Sequence, residues 1–369
     1  MLRAIELAKK GKGWVNPNPQ VGAVIVKDGR IIGEGWHTCY GKLHAEREAF
    51  ASLKESAEGA TIYVTLEPCC HHGKQPPCTD AILQHGIARV VIGSRDPNPL
   101  VAGKGAQILR NAGVKVEEDF MREECDKLNP VFFHYITTKT PYVVMKYAMT
   151  ADGKIACCTG DSKWVTGEES RARVQEMRSE YLGIMAGIGT VLADDPMLNC
   201  RIEGKRSPVR IICDTNLRIP EDCNICRTAK EYRTIVACGI EQLNCGNAET
   251  LLSKISLLSD MGIRVINAPD GKGKVDLKRL MQVLGEEEKI DSILLEGGGT
   301  LNASALESGI VNEVKAFIAP KLFGGSESKS PVEGLGVSSP KDAYMLEFKS
   351  AESIGSDLLI NYAVKQTED

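Results

Sequence analysis

The sequence has no long hydrophobic run and no strong excess of charge of either sign. None of the apolar stretches in its 369 residues approaches the roughly 20 residues that a helix needs to cross a bilayer, so no membrane span is expected. Residues 1–10, MLRAIELAKK, place charges among apolar side chains, which predicts an amphipathic helix and not a secretory signal. A net charge of −4 provides no field for gathering polyanions, which argues against nonspecific nucleic-acid binding but leaves room for a local basic patch.

Low-complexity stretches are also missing, and the two halves of the chain do not repeat each other. Cysteine, in contrast, is abundant. Thirteen cysteines are scattered along a chain that is long enough to bury a core without disulfides, and an odd number cannot all pair. This usage favours a reducing, cytoplasmic location over a secreted scaffold.

Strand and helix patterns alternate through the chain, which predicts α/β layered domains. In the first half we expect strands at 21–27, 30–35, 60–66, 89–93 and 114–117 and helices at 44–53, 79–85 and 105–112. In the second half we expect strands at 142–148, 182–187, 209–213, 234–237, 264–266, 292–296 and 314–318, helices at 168–179, 248–261, 277–285 and 300–308, and a long surface loop at 326–340. The length predicts about two domains, and we place them at 1–140 and 141–369 because Pro141 opens a strand. Two α/β halves with apolar strands also favour a homo-oligomer.

Three short motifs in the first half have the composition of a catalytic zinc site: His44-Ala45-Glu46, Pro68-Cys69 and Pro76-Pro77-Cys78. Such a site takes three protein ligands and keeps its fourth position for a water, whose pKa the metal lowers. A glutamate beside the histidine moves protons from this water to a leaving amine. The alternative is a closed structural site with His71 or His72 as fourth ligand. Glu46 argues against it, because a structural site has no use for an acid/base.

The cysteine loop is longer than the C-x-x-C of nucleobase deaminases, with eight residues between Cys69 and Cys78. Residues 67–80, EPCCHHGKQPPCTD, closely resemble the deaminase half of the bifunctional deaminase–reductase family of bacterial riboflavin biosynthesis. The resemblance implies a cytidine-deaminase-like domain in which His44, Cys69 and Cys78 bind Zn²⁺ and Glu46 is the catalytic acid/base. Cys70 stands where the family usually has a serine and is the main rival ligand.

The same resemblance implies a set of substrate contacts in this domain, namely Asn18, His37, His71, Lys74, Asp96 and Asn98. In the family, loop 16–22 lies over the pyrimidine ring, the cysteine loop meets the ribose phosphate and residues 96–98 close over the sugar. Each residue also has a simpler interpretation, because Asn, Asp, Pro and Gly are common in turns.

Two glycine-bearing turns mark the second half, at 186–196 (AGIGTVLADDP) and 296–302 (EGGGTLN). Glycines let a backbone approach a phosphate, and a following helix N-terminus favours its charge. Neither turn is the Rossmann fingerprint, because Leu192 replaces the last glycine of the first turn and the second has three adjacent glycines. By themselves they fit tight turns as well as a cofactor site.

Five segments of the second half resemble the reductase half of the same family and occur in the same order: 145–155, 159–164, 187–190, 194–196 and 296–299. The resemblance implies a dihydrofolate-reductase-like domain that takes NADPH and reduces a ribose to a ribityl chain. The implied NADPH contacts are Ala148, Trp164, Thr190, Asp194, Thr215, Gly298, Gly299, Thr300, Leu301, Asn302, Ala303 and Ser304. The implied substrate contacts are Lys146, Ser162, Arg178, Leu198, Arg201 and Glu296.

Within this set we assign catalysis to Lys146, which polarises a sugar hydroxyl or carbonyl. Arg178 and Arg201 suit the substrate's phosphate, since guanidinium binds phosphate in a bidentate way. Met149-Thr150 departs from the small residues that the family often has there.

The sequence therefore predicts a bifunctional enzyme that uses Zn²⁺ and NADPH on a small-molecule phosphoribosylamino-pyrimidine, with no nucleic-acid or membrane partner. The alternatives are a nucleoside or tRNA deaminase with an accessory C-terminal domain, a zinc-stapled binding protein, and a fusion with one inactive half. The intact motifs of both halves favour two working sites.

Overall fold

The computed structural model describes residues 1–72, 75–98, 101–241 and 248–365. The chain forms two compact units, Met1–Lys139 and Thr140–Asp369, each with its own sheet and core. None of the helices in the described ranges has the length and hydropathy needed to cross a lipid bilayer.

The first unit is a five-stranded sheet with helices packed on it. Its elements are α1 Leu2–Lys9, β1 Gly22–Lys27, β2 Arg30–Trp36, α2 Ala45–Ala51, β3 Thr61–Leu66, α3 Cys78–Gln84, β4 Arg89–Ser94, α4 Lys104–Asn111, β5 Lys115–Glu117, α5 Arg122–Asp126 and α6 Pro130–Thr138. The strand order is β2-β1-β3-β4-β5. The hairpin β1–β2 and the pair β1–β3 are antiparallel, whereas β3, β4 and β5 run parallel. The parallel strands direct the loops after β3 and β4 to one edge of the sheet, where α/β proteins place their sites.

Two glycines let helices approach the hairpin closely. A Cβ on Gly22 would lie 2.0 Å from the Ala4 carbonyl oxygen of α1, and one on Gly35 would lie 2.2 Å from the Ala49 nitrogen of α2. The amphipathic helix predicted at the N-terminus is confirmed: α1 buries Ala4, Ile5, Leu7 and Ala8. The close approach of α2 fixes the helix whose first turn carries the zinc-site motif.

The second unit is a nine-stranded mixed sheet. Its elements are β6 Tyr142–Thr150, α7 Glu168–Glu180, β7 Gly183–Gly187, α8 Ile188–Asp194, β8 Val209–Cys213, α9 Asn224–Arg227, β9 Thr234–Cys238, α10 Ala248–Asp260, β10 Ile263–Asn267, α11 Leu277–Glu286, β11 Ser292–Leu295, α12 Gly299–Glu307, β12 Val311–Ala319, a 3₁₀ turn at Pro340–Asp342, β13 Leu346–Ile354 and β14 Asp357–Val364. The strand order is β10-β9-β8-β7-β11-β6-β12-β14-β13. The strands from β10 to β12 are parallel, so that β6, β7 and β11 end beside one another, and β14 and β13 continue the sheet antiparallel.

The predicted strands and helices of both units are confirmed within a few residues of their ends. Several elements were not predicted. These are the short helices α5, α6 and α9, the helix α8 within the glycine turn at 186–196, the 3₁₀ turn and the terminal hairpin β13–β14. The predicted loop at 326–340 has no strand or longer helix.

Candidate active sites

The three predicted zinc ligands meet at the edge of the first sheet. His44 is the N-cap of α2, Cys69 follows β3, and Cys78 is the first residue of α3. His44 Nδ1 lies 3.4 Å from the Sγ atoms of both cysteines, and the three potential ligand atoms all lie within 4.8 Å of one another. A tetrahedral zinc with Zn–N of about 2.0 Å and Zn–S of about 2.3 Å would separate nitrogen from sulfur by about 3.5 Å. The donor set therefore fits a zinc ion without rearrangement.

The two thiols share a negative charge that a metal ion would neutralise. A hydrogen bond with Cys78 and the neighbouring His44 ring lower the pKa of the Cys69 thiol, whereas the bond to Cys69 and burial raise the pKa of Cys78. The backbone N–H of Cys78, at the start of α3, also donates to Cys69 Sγ at 3.4 Å. Thiolate is the form that binds zinc.

Glu46 lies beside this cluster, two residues into the α2 segment, and is 4% exposed. Burial raises the pKa of Glu46 to about 7, and the Cys69 thiolate adds to this effect. A carboxyl group that titrates near neutral pH both accepts and returns a proton efficiently. The structure places Cys70, the rival ligand, outside the set of converging ligand atoms in the described residues.

A cavity of about 350 Å³ opens onto His44, Glu46 and Cys69. The predicted substrate residues Asn18, His37, His71, Asp96 and Asn98 all line it. Lys74 lies outside the described residues. The structure thus brings the described part of the predicted deaminase site into one cavity, next to the cluster that fits zinc.

His37 fixes the orientation of Asn18 in this cavity. His37 Nδ1 donates to the Leu43 carbonyl oxygen at 2.8 Å, because that oxygen only accepts. The other ring nitrogen, Nε2, then accepts from the Asn18 amide at 3.1 Å. Burial, with the nearby His44, lowers the pKa of His37, which keeps this ring neutral. An Asn held in this way presents its amide in one orientation.

Asp96 also lines the cavity and is 8% exposed. Burial raises the pKa of Asp96 to about 6, and one of its carboxylate oxygens accepts from the Asn98 backbone N–H at 2.8 Å. This bond closes the turn that carries both predicted sugar contacts.

Sequence analysis missed two contributors to this site. The buried Glu67 carboxylate accepts from the backbone N–H groups of Gly103 at 2.9 Å and Ala106 at 3.2 Å, and so joins the segment before Cys69 to α4. Helix α6 contributes Phe132, Tyr135 and Ile136 to the cavity wall. Glu67 could have been noticed because it directly precedes the Pro-Cys motif. For helix α6, the aromatic residues within 130–136 are the sequence feature that could have indicated a cavity wall.

A second polar cluster lies in the other unit, around Glu296 directly after β11. Lys146 Nζ, on the neighbouring strand β6, lies 2.8 Å from Glu296 Oε2. Arg178, on α7, donates to both carboxylate oxygens at 2.8 and 3.0 Å. All three side chains are at most 14% exposed. Burial opposes ionisation of Glu296, but Arg178 and Lys146 outweigh it and hold the pKa of its carboxyl well below its usual range.

The predicted cofactor residues come from several elements near the ends of these strands. Gly298 is the N-cap of α12, and a Cβ built on it would lie 3.7 Å from Thr190 Oγ1 of α8, so the two glycine-bearing turns are adjacent. Trp164 is 60% exposed, and the Arg171 guanidinium lies 4.8 Å from its ring centroid. Lys163 lies 3.8 Å from the Asp194 carboxylate, which brings the Trp164 loop beside the end of α8.

Gly299 is a position that requires glycine. A Cβ there would lie 2.4 Å from Glu333 Cγ, and the Glu333 backbone N–H donates to the Gly299 carbonyl at 3.1 Å. The second glycine turn is therefore covered on one side by the long loop, and it presents backbone and not side chains.

The remaining predicted contacts differ in their accessibility. Leu198 is 3% exposed and has a positive φ of 48°. Arg201 is exposed, and its backbone N–H donates to Gln175 Oε1 at 3.0 Å. Ser162 lies in the 160–164 loop and Ala148 on β6. Thr215 lies two residues after the end of β8.

The folds and sites together define a zinc-dependent deaminase joined to a reductase. Residues 1–94 match the family model of the cytidine and deoxycytidylate deaminase zinc-binding region, and residues 141–360 match that of the RibD C-terminal domain. The chain belongs to the RibD family of riboflavin biosynthesis proteins.

Similarity to this family covers nearly the whole chain. The Actinobacillus pleuropneumoniae riboflavin biosynthesis protein RibD is 56% identical over 99% of this chain and 94% of that protein. The Acinetobacter baumannii RibD structure superposes with a TM-score of 0.86 at 35% identity, over 99% of this chain and 98% of that one. A Thermotoga maritima structure, described as a diaminohydroxyphosphoribosylaminopyrimidine deaminase/5-amino-6-(5-phosphoribosylamino)uracil reductase, superposes with a TM-score of 0.85 at 40% identity, over 99% and 97% of the two chains.

The predicted family and fold class are thereby confirmed: a cytidine-deaminase-like domain precedes a reductase domain. The protein is a bifunctional deaminase and reductase of riboflavin biosynthesis, with zinc and NADPH as its cofactors.

Proposed function

We propose that the protein deaminates 2,5-diamino-6-(5-phosphoribosylamino)pyrimidin-4(3H)-one and then reduces the ribose of 5-amino-6-(5-phosphoribosylamino)uracil to the ribityl form. The observation that carries this proposal is the position of the buried Glu46 beside three converging zinc donors in one cavity. The Thermotoga maritima relative is described by the same pair of reactions. We assign the deaminase to residues 1–140 and the reductase to 141–369.

In the deaminase, His44, Cys69 and Cys78 hold the metal. Zinc, when bound, would supply an activated water. Glu46 would take a proton from the attacking water and return it to the departing ammonia, a role that its buried position beside the three donors allows. Asn18, held by His37, orients the pyrimidine ring, and Asp96 with Asn98 contacts the sugar. We assign the phosphate to the loop that carries His71 and Lys74.

In the reductase, Lys146 contacts the opened sugar and polarises its oxygen. Glu296 holds Lys146 in place, because its carboxylate forms ion pairs with Lys146 and Arg178. NADPH, when bound, supplies hydride, and the chain's contribution is to orient the two reacting carbons.

The two arginines have different roles in this proposal. The Arg178 guanidinium is already bonded to Glu296 and to the Asn199 carbonyl oxygen, at 3.1 Å for the latter, so it serves as a support for Glu296. Arg201 is exposed, and its guanidinium is the better candidate for the substrate's phosphate. Ser162 and the backbone of Leu198 complete the substrate contacts.

The proposed NADPH contacts follow the two adjacent glycine turns. Thr190 and Asp194 come from α8 and its end, and Gly298, Gly299, Thr300, Leu301, Asn302, Ala303 and Ser304 come from α12 and its N-cap. Backbone N–H groups at a helix N-terminus bind phosphate. Ala148, Trp164 and Thr215 complete the set.

We also propose a homo-oligomer that buries the sheet edge formed by β13. This strand is exposed along almost its whole length and has a partner on one side only, among the described residues. Phe348 on this strand is 61% exposed and Met345, directly before it, is 58% exposed, and an uncovered edge strand with exposed apolar side chains invites pairing. Light scattering should report a mass above 40.1 kDa, and Phe348→Asp should lower it to the monomer. A monomeric parent protein would contradict the proposal.

A cytoplasmic location is supported by cysteine chemistry. The cysteines in the described ranges form no disulfide, and several of them are buried. Free cysteines are typical of proteins in a reducing compartment.

One assay tests the two activities and their order. Zinc-loaded protein is given the diamino-ribosylamino-pyrimidinone phosphate with and without NADPH, while ammonia and NADPH absorbance are followed together. We expect ammonia without cofactor and NADPH consumption only after deamination. Ammonia without any NADPH loss would contradict the reductase proposal, and ammonia from cytidine or tRNA alone would replace the proposed substrate.

A further inference from the structure

The turn at the end of α8, residues 194–198, carries two of the proposed reductase contacts, Asp194 and Leu198, and contains two residues in an unfavourable backbone conformation. Asp195 has a φ of 40° and Leu198 a φ of 48°. L-residues rarely adopt this left-handed region, and they keep it only where surrounding contacts impose it. The contacts that impose it also determine where Asp194 and the Leu198 backbone point.

Three side chains from three elements donate to alternate carbonyl groups of residues 195–199. Asn224 Nδ2 donates to the Asp195 oxygen at 2.9 Å, Arg210 Nη1 to the Met197 oxygen at 3.3 Å, and Arg178 Nη1 to the Asn199 oxygen at 3.1 Å. The segment is thereby attached to α9, β8 and α7.

Asn224 makes the most specific of these attachments. Besides the bond from its side chain, its backbone N–H donates to Asp195 Oδ1 at 2.8 Å, so that it fixes both the backbone and the side chain of one residue. Asn224 is the first residue of α9, and its own carbonyl accepts from the Thr228 backbone N–H at 3.2 Å. Asn224 therefore clamps Asp195 from a small helix, α9, and not from a loop.

Arg210, on β8, forms hydrogen bonds to α9 and to the residue directly after it. Its fully buried guanidinium donates to the Ile225 oxygen at 2.9 Å and to Thr228 Oγ1 at 2.8 Å, as well as to Met197. The same cation thus joins the 194–198 turn to the helix that clamps it. Because so many buried acceptors depend on Arg210, its removal would affect folding, whereas Asn224 is partly exposed and is the residue to test.

We propose that Asn224 is a positioning residue for the reductase reaction: by clamping Asp195 it holds Asp194 and the Leu198 backbone toward the cofactor and the substrate. This inference rests on the proposed roles of Asp194 and Leu198 in the reductase. Asn224 itself contacts neither ligand in this account and acts through Asp195.

The test compares Asn224→Ala and Asn224→Asp with Asn267→Ala in the full-length, zinc-loaded protein. Asn224→Asp keeps the side-chain volume and the backbone N–H but removes the donor to the Asp195 oxygen. Asn267 is a matched control, because it also bonds both backbone groups of one residue, Ile240, at 2.9 Å, in another loop of the same unit. NADPH binding is measured by fluorescence titration, the reductase by KM and kcat, and folding by thermal melting.

We expect both Asn224 variants to weaken NADPH binding about threefold to tenfold, the effect of one net hydrogen bond. The KM for NADPH should rise by the same factor while kcat at saturating NADPH and ammonia release stay near the parent values. Asn267→Ala should change none of these.

Two kinds of result overturn the inference. Parent-like NADPH binding in both Asn224 variants shows that the clamp does not position the site. Equal weakening in Asn267→Ala, or weakening that follows a lower melting temperature, shows a general structural role. Failure of the parent protein to bind NADPH is a different outcome, since it removes the proposed reductase function and the positioning role with it.

Discussion

At the scale of single residues, Glu46 decides whether the zinc cluster is catalytic. The three ligands alone fit a structural site as well as a catalytic one, and the buried acid beside them makes the difference. His44 and Glu46 were identifiable from sequence because the chemistry places them two residues apart, and Cys69 and Cys78 because each follows a proline in a short motif. Glu67 was not, because its partners Gly103 and Ala106 are backbone groups about 40 residues away that the fold alone brings near.

We expect Glu46→Gln to retain zinc and to release ammonia at least about a hundredfold more slowly, the contribution of a general acid–base group. The amide keeps the shape of the side chain but cannot move protons. Zinc content by atomic absorption and ammonia release are measured on the same sample, with Glu48→Gln, one half-turn further along α2, as the control. Parent-like ammonia release from Glu46→Gln would remove the proton-transfer assignment.

Lys146→Ala should leave ammonia release intact and lower NADPH oxidation about a hundredfold or more, because the sugar oxygen loses its cationic partner. Arg178 still neutralises Glu296 in this variant, so the buried carboxylate is not left without a counter-charge. The two products are followed in one assay, and Lys278→Ala, on the exposed side of α11, controls for the change in net charge. If both reactions fell together, the assignment of separate sites would be wrong.

At the scale of elements, the hydrophobic pattern of the sequence predicted the buried strands and missed the exposed one. The apolar runs of β3, β4 and β7 are recognisable because they are buried from both sides. Strand β13 has almost no buried residue and therefore no alternation of apolar and polar residues to detect. Helix α8 is short and follows Gly187, its N-cap, so its sequence resembles a turn. Local pattern carries no information on the clamp between Asn224 and Asp195, which joins two such short elements.

The approach of α1 to β1 gives a prediction at this scale. Gly22→Ala would place a methyl group 2.0 Å from the Ala4 carbonyl oxygen, so the helix must move away from the sheet. Overpacking of this kind costs about 1–3 kcal/mol. Hydrogen exchange in residues 1–10 should accelerate accordingly, whereas Gly189→Ala, which meets no atom within 4 Å, should leave exchange there unchanged. Unchanged exchange in Gly22→Ala would show that α1 does not need this contact distance.

At the scale of the whole molecule, the two units have separate sheets and separate cores, and each carries one of the two sites. The three donors that fit zinc belong to the first unit, and Lys146, Arg178 and Glu296 belong to the second. Loss of the metal therefore leaves the thiolates of the first unit without a neutralising positive charge. The buried ion pairs of the second unit stay intact.

We accordingly expect chelation of zinc to abolish ammonia release while NADPH oxidation persists when the deaminated intermediate is supplied directly. The protein is treated with a zinc chelator, the chelator is removed, and both reactions are measured before and after zinc is returned. Zinc-loaded Glu46→Gln is the control, because it loses the same reaction without losing the metal. Loss of NADPH oxidation in the metal-free protein, but not in Glu46→Gln, would mean that the reductase depends on the folded zinc site and that the two units are not independent in function.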